Sequence, residues 1–311
     1  TVGSRHRRDV GGQLGAAFLR LLIAVLACAL FASACDAHSV APAMVRPNAG
    51  FDFMLVALLA AVSALYARGV SRLWRKAGIG RGVRVADAAC FALGIAVLVA
   101  ALVSPLAALA DRSFSMHMIE HEMLMVVAAP LLVRARPLEA CAWALSSDAR
   151  DRVIRLTRAP AVACSWRSAT SPVSATVAHA LALWIWHAPA LFVAALASEP
   201  LHVLQHACFF ASALAFWWAM FGGATRNPRP ISLACLFATM LHTSALGALL
   251  TLAPSAVYGS GEPRIFGLTP LQDQQLGGLV MWVPGGLAYI VAGLAIVAHW
   301  LALPRVSRNV R

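Results

Sequence analysis

Two stretches of the chain place histidines four residues apart, His117-Met-Ile-Glu-His121 and His202-Val-Leu-Gln-His206. On an α-helix that spacing puts both imidazoles on one face, about 6 Å apart along the axis, so that a pair can chelate one ion. Neutral imidazole suits copper, zinc, iron and nickel, and thioethers at Met116, Met118, Met123 and Met125 around the first pair favour Cu(I). His187 and His242 are further candidate ligands, and Asp273 reads either as a helix cap or as a ligand. Glu120 stands outside the HExxH position of zinc peptidases, so the pattern does not indicate peptide hydrolysis. With Glu122 it qualifies instead as an outer partner of the ligating rings, favoured by the dipole near a helix N-terminus.

The elements that must position these residues are apolar. Of 311 residues 60% are hydrophobic and 12% charged, with a mean hydropathy of +0.75, a composition for which lipid rather than water is the solvent. Seven runs of about 18 to 26 residues, long enough to span the hydrocarbon layer, cover 51–68, 86–106, 116–133, 172–197, 200–221, 230–254 and 276–301. They predict an all-α, polytopic membrane bundle of seven transmembrane helices, since closed hydrogen-bonding structures alone span lipid and these runs exceed barrel strands in length. Residues 1–37 carry an arginine-bearing start, an apolar stretch and small residues, the layout of a signal peptide or, if uncut, an eighth N-terminal helix. The expected organisation continues with an extracytoplasmic linker at 38–50, the seven-helix membrane domain at 51–303 and a cytoplasmic tail at 304–311.

Orientation follows from positive charge, which cytoplasmic loops retain. Of 25 Lys and Arg residues, 22 fall in residues 1–20, the loops beginning at Arg68, Arg134 and Arg226, and the tail, leaving Arg46, Arg112 and Arg264 on the other side. The C-terminus is therefore expected in the cytoplasm, and the basic stretch 134–171 on the inner membrane surface. The net charge of +12 does not indicate nucleic acid, because the arginines form short blocks between spans and no basic face with stacking aromatics accompanies them. Seven scattered cysteines without a CxxC pair argue against a disulfide framework or structural zinc, and Cys208 reads as a small buried hydrophobe.

This topology sorts the histidines. His117, His121, His202 and His206 fall on the outer turns of the third and fifth spans, His187 and His242 in the outer halves of the fourth and sixth. A single histidine at a helix end is ordinarily an interfacial polar residue, and a methionine stripe is ordinarily packing. Six at one depth from four helices are a different matter, because ionisable groups within spans are costly and functional by default. His179 and His299 lie toward the inner side and read as structural, and His6 belongs to the targeting segment. Trp184, Trp186, Trp217, Trp218 and Trp282 read as interfacial anchors or packing.

The stretches SPLAALADRSFSMHMIEHEMLMVVAAPLLV, HALALWIWHAPALF, PLHVLQHACFFASALAFWW and GLTPLQDQQLGGLVMWVPGG, with the loop RGVSRLWRKAG, resemble the CtaG family of cytochrome c oxidase assembly factors linked to caa-type oxidases. The resemblance extends over nearly everything from residue 51 to residue 301. It implies a seven-helix protein of the bacterial plasma membrane, without enzymatic activity, that serves oxidase assembly and supplies copper to the oxidase. Partners implied are membrane lipid, cytochrome c oxidase subunits and periplasmic copper carriers. His117, His121, His187, His202, His206 and Asp273 fall on the family's motif positions, His242 less clearly. The chain departs from the family in Glu122, where an uncharged residue is usual, and in Ala129-Pro130, where a Pro pair often stands. Two other functions fit the residues: copper transport of the CopD type, and a membrane haem protein with bis-histidine ligation.

Overall fold

A computed structural model describes residues 53–222, 229–258 and 265–302, and every regular element among them is helical. In chain order these are α1 Phe53–Ala77, α2 Val85–Leu102, α3 Pro105–Ala110, α4 Phe114–Arg134, α5 Pro137–Ala144, α6 Ser147–Arg158, α7 Pro160–Ala169, α8 Pro172–Trp186, α9 Pro189–Ala197, α10 Glu199–Phe221, α11 Pro230–Thr251 and α12 Pro270–Leu301. Six are long and apolar enough to cross a membrane, and α8 with α9, bent by 73°, pass the same test only as a pair, which gives six to seven candidate spans among the described residues. The chain is a multi-pass, all-α membrane protein. The N-terminal segments 1–37 and 38–50 and the tail 304–311 lie outside the described residues.

Several boundaries differ from the sequence expectation, each for a local reason. The first span runs on to Ala77, because the basic residues after Arg68 remain helical, and the chain turns only at Gly78, whose φ is +96°. This extension receives α5: a Cβ on Gly69 would lie 1.8 Å from the Ala140 carbonyl oxygen, so the two backbones touch there. The Tyr66 hydroxyl donates to the Ala135 carbonyl at 3.0 Å and Arg72 to the Ala144 carbonyl at 2.7 Å. The stretch 134–171 is thus three short helices, the first docked on the bundle. The last helix begins at Pro270, six residues before the expected 276, because Thr269 and Gln272 form a capping box. Asp273 consequently sits inside its first turn rather than ahead of it.

Three π-helical turns interrupt the spans, at Met123–Ala128 in α4, Trp218–Gly222 at the end of α10 and Met281–Gly285 in α12. A π turn releases backbone carbonyls from the regular ladder, and the Met125 carbonyl accepts a hydrogen bond from the buried Trp217 indole at 2.8 Å. In α12 the turn accommodates Pro284. Helices α11 and α12 meet backbone to backbone, since a Cβ on Gly247 would lie 2.7 Å from the Gly278 carbonyl oxygen. At the end of the bundle that carries the arginine-rich connections the fully buried Asp87 of α2 accepts from Arg134 of α4 and lies 3.5 Å from the Arg84 Nε.

Candidate metal centre

The outer end of α4 begins at Ser113, whose Oγ accepts from the Met116 amide. The other amides of that turn are met from a different helix. Asp273 of α12, with no exposed surface, accepts from the Phe114 amide at 2.6 Å, the Ser115 amide at 3.0 Å, the Ser113 hydroxyl at 2.8 Å and the Ser115 hydroxyl at 2.6 Å. A carboxylate seated on a helix N-terminus satisfies orphan donors and complements the dipole. Close approach of α12 depends on Gly277, where a Cβ would lie 2.5 Å from the Phe114 ring. Of the two sequence readings for Asp273 the cap describes its contacts, although the helix it caps is α4 and not its own.

His117 and His121 follow in the next turns of α4, 1% exposed each. Their ring centroids are 4.2 Å apart. Helix α10 brings His202 and His206, with centroids 4.3 Å apart, against them: His117 lies 5.1 Å from His202 and 5.8 Å from His206, and His121 lies 5.0 Å from His206. The ligand atoms of His117, His202 and His206 all lie within 4.8 Å of one another.

His187 arrives from the break between α8 and α9, where the helix stops ahead of Pro189. Its Nδ1 lies 2.8 Å from the Leu183 carbonyl oxygen, so Nδ1 carries the proton and Nε2 keeps the lone pair. Its carbonyl accepts from the Tyr258 hydroxyl at 2.8 Å, and its ring centroid is 6.2 Å from that of His121. Both ring nitrogens of His117 and of His121, and Nε2 of His187 and of His206, are buried without a hydrogen-bond partner among the described residues.

Around the rings, Glu120 presents its carboxylate 3.8 Å from the His206 Nδ1. Glu122 turns toward α12, where a Cβ on Gly285 would lie 2.9 Å from its Oε2. Phe192 of α9 packs 5.4 Å from His117, and Phe209 of α10 packs 4.7 Å from His121. Met118 and Met125 are buried as packing, and Cys208 is a partly buried member of the apolar core. A small cleft of about 30 Å³, lined among others by Asp111, Ser113, Phe114, Phe192 and Tyr258, reaches His117 and none of the other four histidines.

The structure therefore brings together His117, His121, His187, His202 and His206. His242 has no ring contact with these five among the described residues and interacts electrostatically with His179, whose Nδ1 lies 3.0 Å from the Ser212 hydroxyl. His299 is exposed on the last turns of α12. Sequence reasoning missed Tyr258 and Phe192, which carry no spacing signal. Gln205 was findable: a buried amide between two histidines on a span needs a partner, and its Nε2 lies 3.5 Å from the Trp186 carbonyl.

Residues 64–302 match the model of a family described as cytochrome c oxidase caa3 assembly factor (Caa3_CtaG). Among curated proteins the chain is 26% identical over 265 residues to an uncharacterized protein of Mycobacterium bovis and, equally, to one of Mycobacterium tuberculosis. The match covers 80% of this chain and 39% of each relative, so the chain spans well under half the length of either. No solved structure matches it.

Proposed function

The chain belongs to the family of cytochrome c oxidase caa3 assembly factors, and from that premise we propose that it binds copper through His117, His121, His187, His202 and His206 and supplies it to oxidase subunits. The observation that carries this reading is the mutual approach of the His117, His202 and His206 ligand atoms within 4.8 Å, in a site where both ring nitrogens of His117 and Nε2 of His206 lack hydrogen-bond partners among the described residues. Buried donors and acceptors are ordinarily satisfied, and an unsatisfied group inside a bilayer costs enough that a ligand is the economical explanation. Nitrogen donors suit copper, and Glu120 beside His206 supplies the outer carboxylate that orients a ligating ring. Rings this closely packed, with Phe192 and Phe209 between them, favour a small ion over a porphyrin. The role needs no catalytic base.

The charge distribution supports a bacterial plasma-membrane setting with the arginine-rich loops and the C-terminus in the cytoplasm, which puts the histidines near the extracytoplasmic face, within reach of periplasmic copper carriers. An impermeant thiol reagent applied to spheroplasts should leave an Arg155→Cys variant unmodified beyond the background of the native cysteines. Copper handling is tested by metal analysis and an optical spectrum of the purified chain. We expect bound copper that a chelator removes and that is absent when His117, His202 and His206 are replaced together. A Soret band, or copper equal in that variant, would overturn the reading. Transport across the membrane is a second reading, favoured by His179 and His242 at greater depth; copper uptake into proteoliposomes separates it from the first.

A further inference from the structure

We propose that the five histidines make two copper positions: an outer one of His117, His202 and His206, and an inner one of His121 and His187. The proposal rests on the copper reading above and specifies how the site is divided.

Ring geometry carries the division. With metal–nitrogen bonds of about 2.0 Å and the ring centre about 1.2 Å behind the nitrogen, two imidazoles on one ion have centroids about 5.5 Å apart in a trigonal arrangement and about 6.4 Å apart when opposed. The centroids of His117, His202 and His206 are separated by 5.1, 5.8 and 4.3 Å, which three-coordination fits after small shifts. His121 and His187 contribute no ligand atom to this mutually close group, although the His121 ring packs 4.2 Å from His117 and 5.0 Å from His206. Their own centroids are 6.2 Å apart, close to the separation that two imidazoles opposed across a single ion would have. Two-coordinate binding of this kind is characteristic of Cu(I).

The nitrogens agree with the distances. Both ring nitrogens of His121 are buried without a partner, and so is Nε2 of His187, while the Leu183 carbonyl holds the His187 Nδ1 proton and leaves Nε2 as the ligating atom. A single ion on the outer three rings would leave these two imidazoles unsatisfied in the bilayer, which a second ion relieves.

The two positions also differ in access. His121 lies one helical turn, about 6 Å, deeper than His117. The cleft touches His117 alone of the five, so the outer position faces it and the inner position lies behind. An ion passes inward by exchanging one imidazole for another, a bond to His121 forming as the bond to His117 breaks, with no change of oxidation state. The outer ion is the exchangeable one and the inner ion the retained one.

Anaerobic titration of the detergent-purified chain with Cu(I), read by metal content and by the time course of removal with a colorimetric Cu(I) chelator, tests the division. Wild type should hold two ions per chain, released in a fast and a slow phase of equal amplitude. His121→Gln and His187→Gln should each hold one ion, released in the fast phase only; at position 187 the glutamine amide can still donate to Leu183, which protects the helix end. Finding two ions in both variants, or one ion in wild type and in both variants, would overturn the two-position proposal and leave copper binding intact. Absence of copper from wild type would instead sink the copper reading itself.

Discussion

The inner and outer ends of the bundle both bury polar groups, and they treat them oppositely. At the inner end Asp87 has Arg134, Arg84 and the Arg84 amide, and the Arg136 guanidinium reaches Glu139 and the Gly82 carbonyl. At the outer end the imidazoles of His117 and His121 lie fully buried with no partner for any ring nitrogen among the described residues. The satisfied carboxylates tie segments of the fold to one another, whereas these imidazole nitrogens tie nothing together among the described residues. Asp273 sharpens the contrast, since it lies beside the histidines and yet is as completely satisfied as Asp87.

The comparison breaks first at the histidines. Replacing His117 and His121 together should remove all bound copper and abolish copper-dependent oxidase assembly, measured as oxidase activity per unit of inserted protein. Glutamine is the replacement to use: both rings are fully buried, and alanine would open cavities costing several kcal/mol on top of the lost imidazoles. Retained copper in the glutamine pair would make the partnerless nitrogens a packing accident and erase the distinction between the two ends.

Asp273→Ala comes next. It strips four hydrogen bonds from the start of α4 and should destabilise the protein by about 3 kcal/mol, seen as a lower thermal midpoint in detergent. Because the turn it holds carries the ligands, copper affinity should fall by about tenfold, where loss of a first ligand would fall further. An unchanged midpoint would mean that the outer carboxylate is not structural. Asp87→Asn should cost about 1 kcal/mol, since its partner Arg134 is 42% exposed and screened, and should leave copper content untouched. His299→Ala is the smallest: an exposed ring at the far end of α12, whose loss should change neither copper nor stability measurably.

Most of the fold was legible because lipid forces apolar runs into helices, and the histidine pairs were legible because a four-residue spacing on a helix has one geometric meaning. What escaped depended on contacts between distant segments. The helical continuation through Arg72 and Lys76 was hidden because charged side chains on an inner helical turn look, in one dimension, like a loop. The early start of α12 was written in Thr269-Pro270-Leu271-Gln272, a capping pattern overshadowed by the polar run that follows. His242 stays apart from the cluster, because the rotation of α11 about its axis is set by packing against α12 and cannot be counted along the span. The break that delivers His187 follows from Pro189, yet only the folded chain reveals that the freed His187 carbonyl is taken by Tyr258, 71 residues away.

The Asp273 cap also orders events during synthesis. Its acceptor oxygens belong to a helix made 159 residues after the Phe114 amide they receive, which at ordinary elongation rates is an interval of about 8 to 30 s. Throughout that interval the turn leading into His117 is already in the bilayer with its amides unmet. A nascent chain that has passed His206 but not reached Asp273 therefore carries all five histidines without the brace at the start of α4. The order of synthesis thus sets the order of assembly, since the turn before His117 is fastened only once α12 has been made.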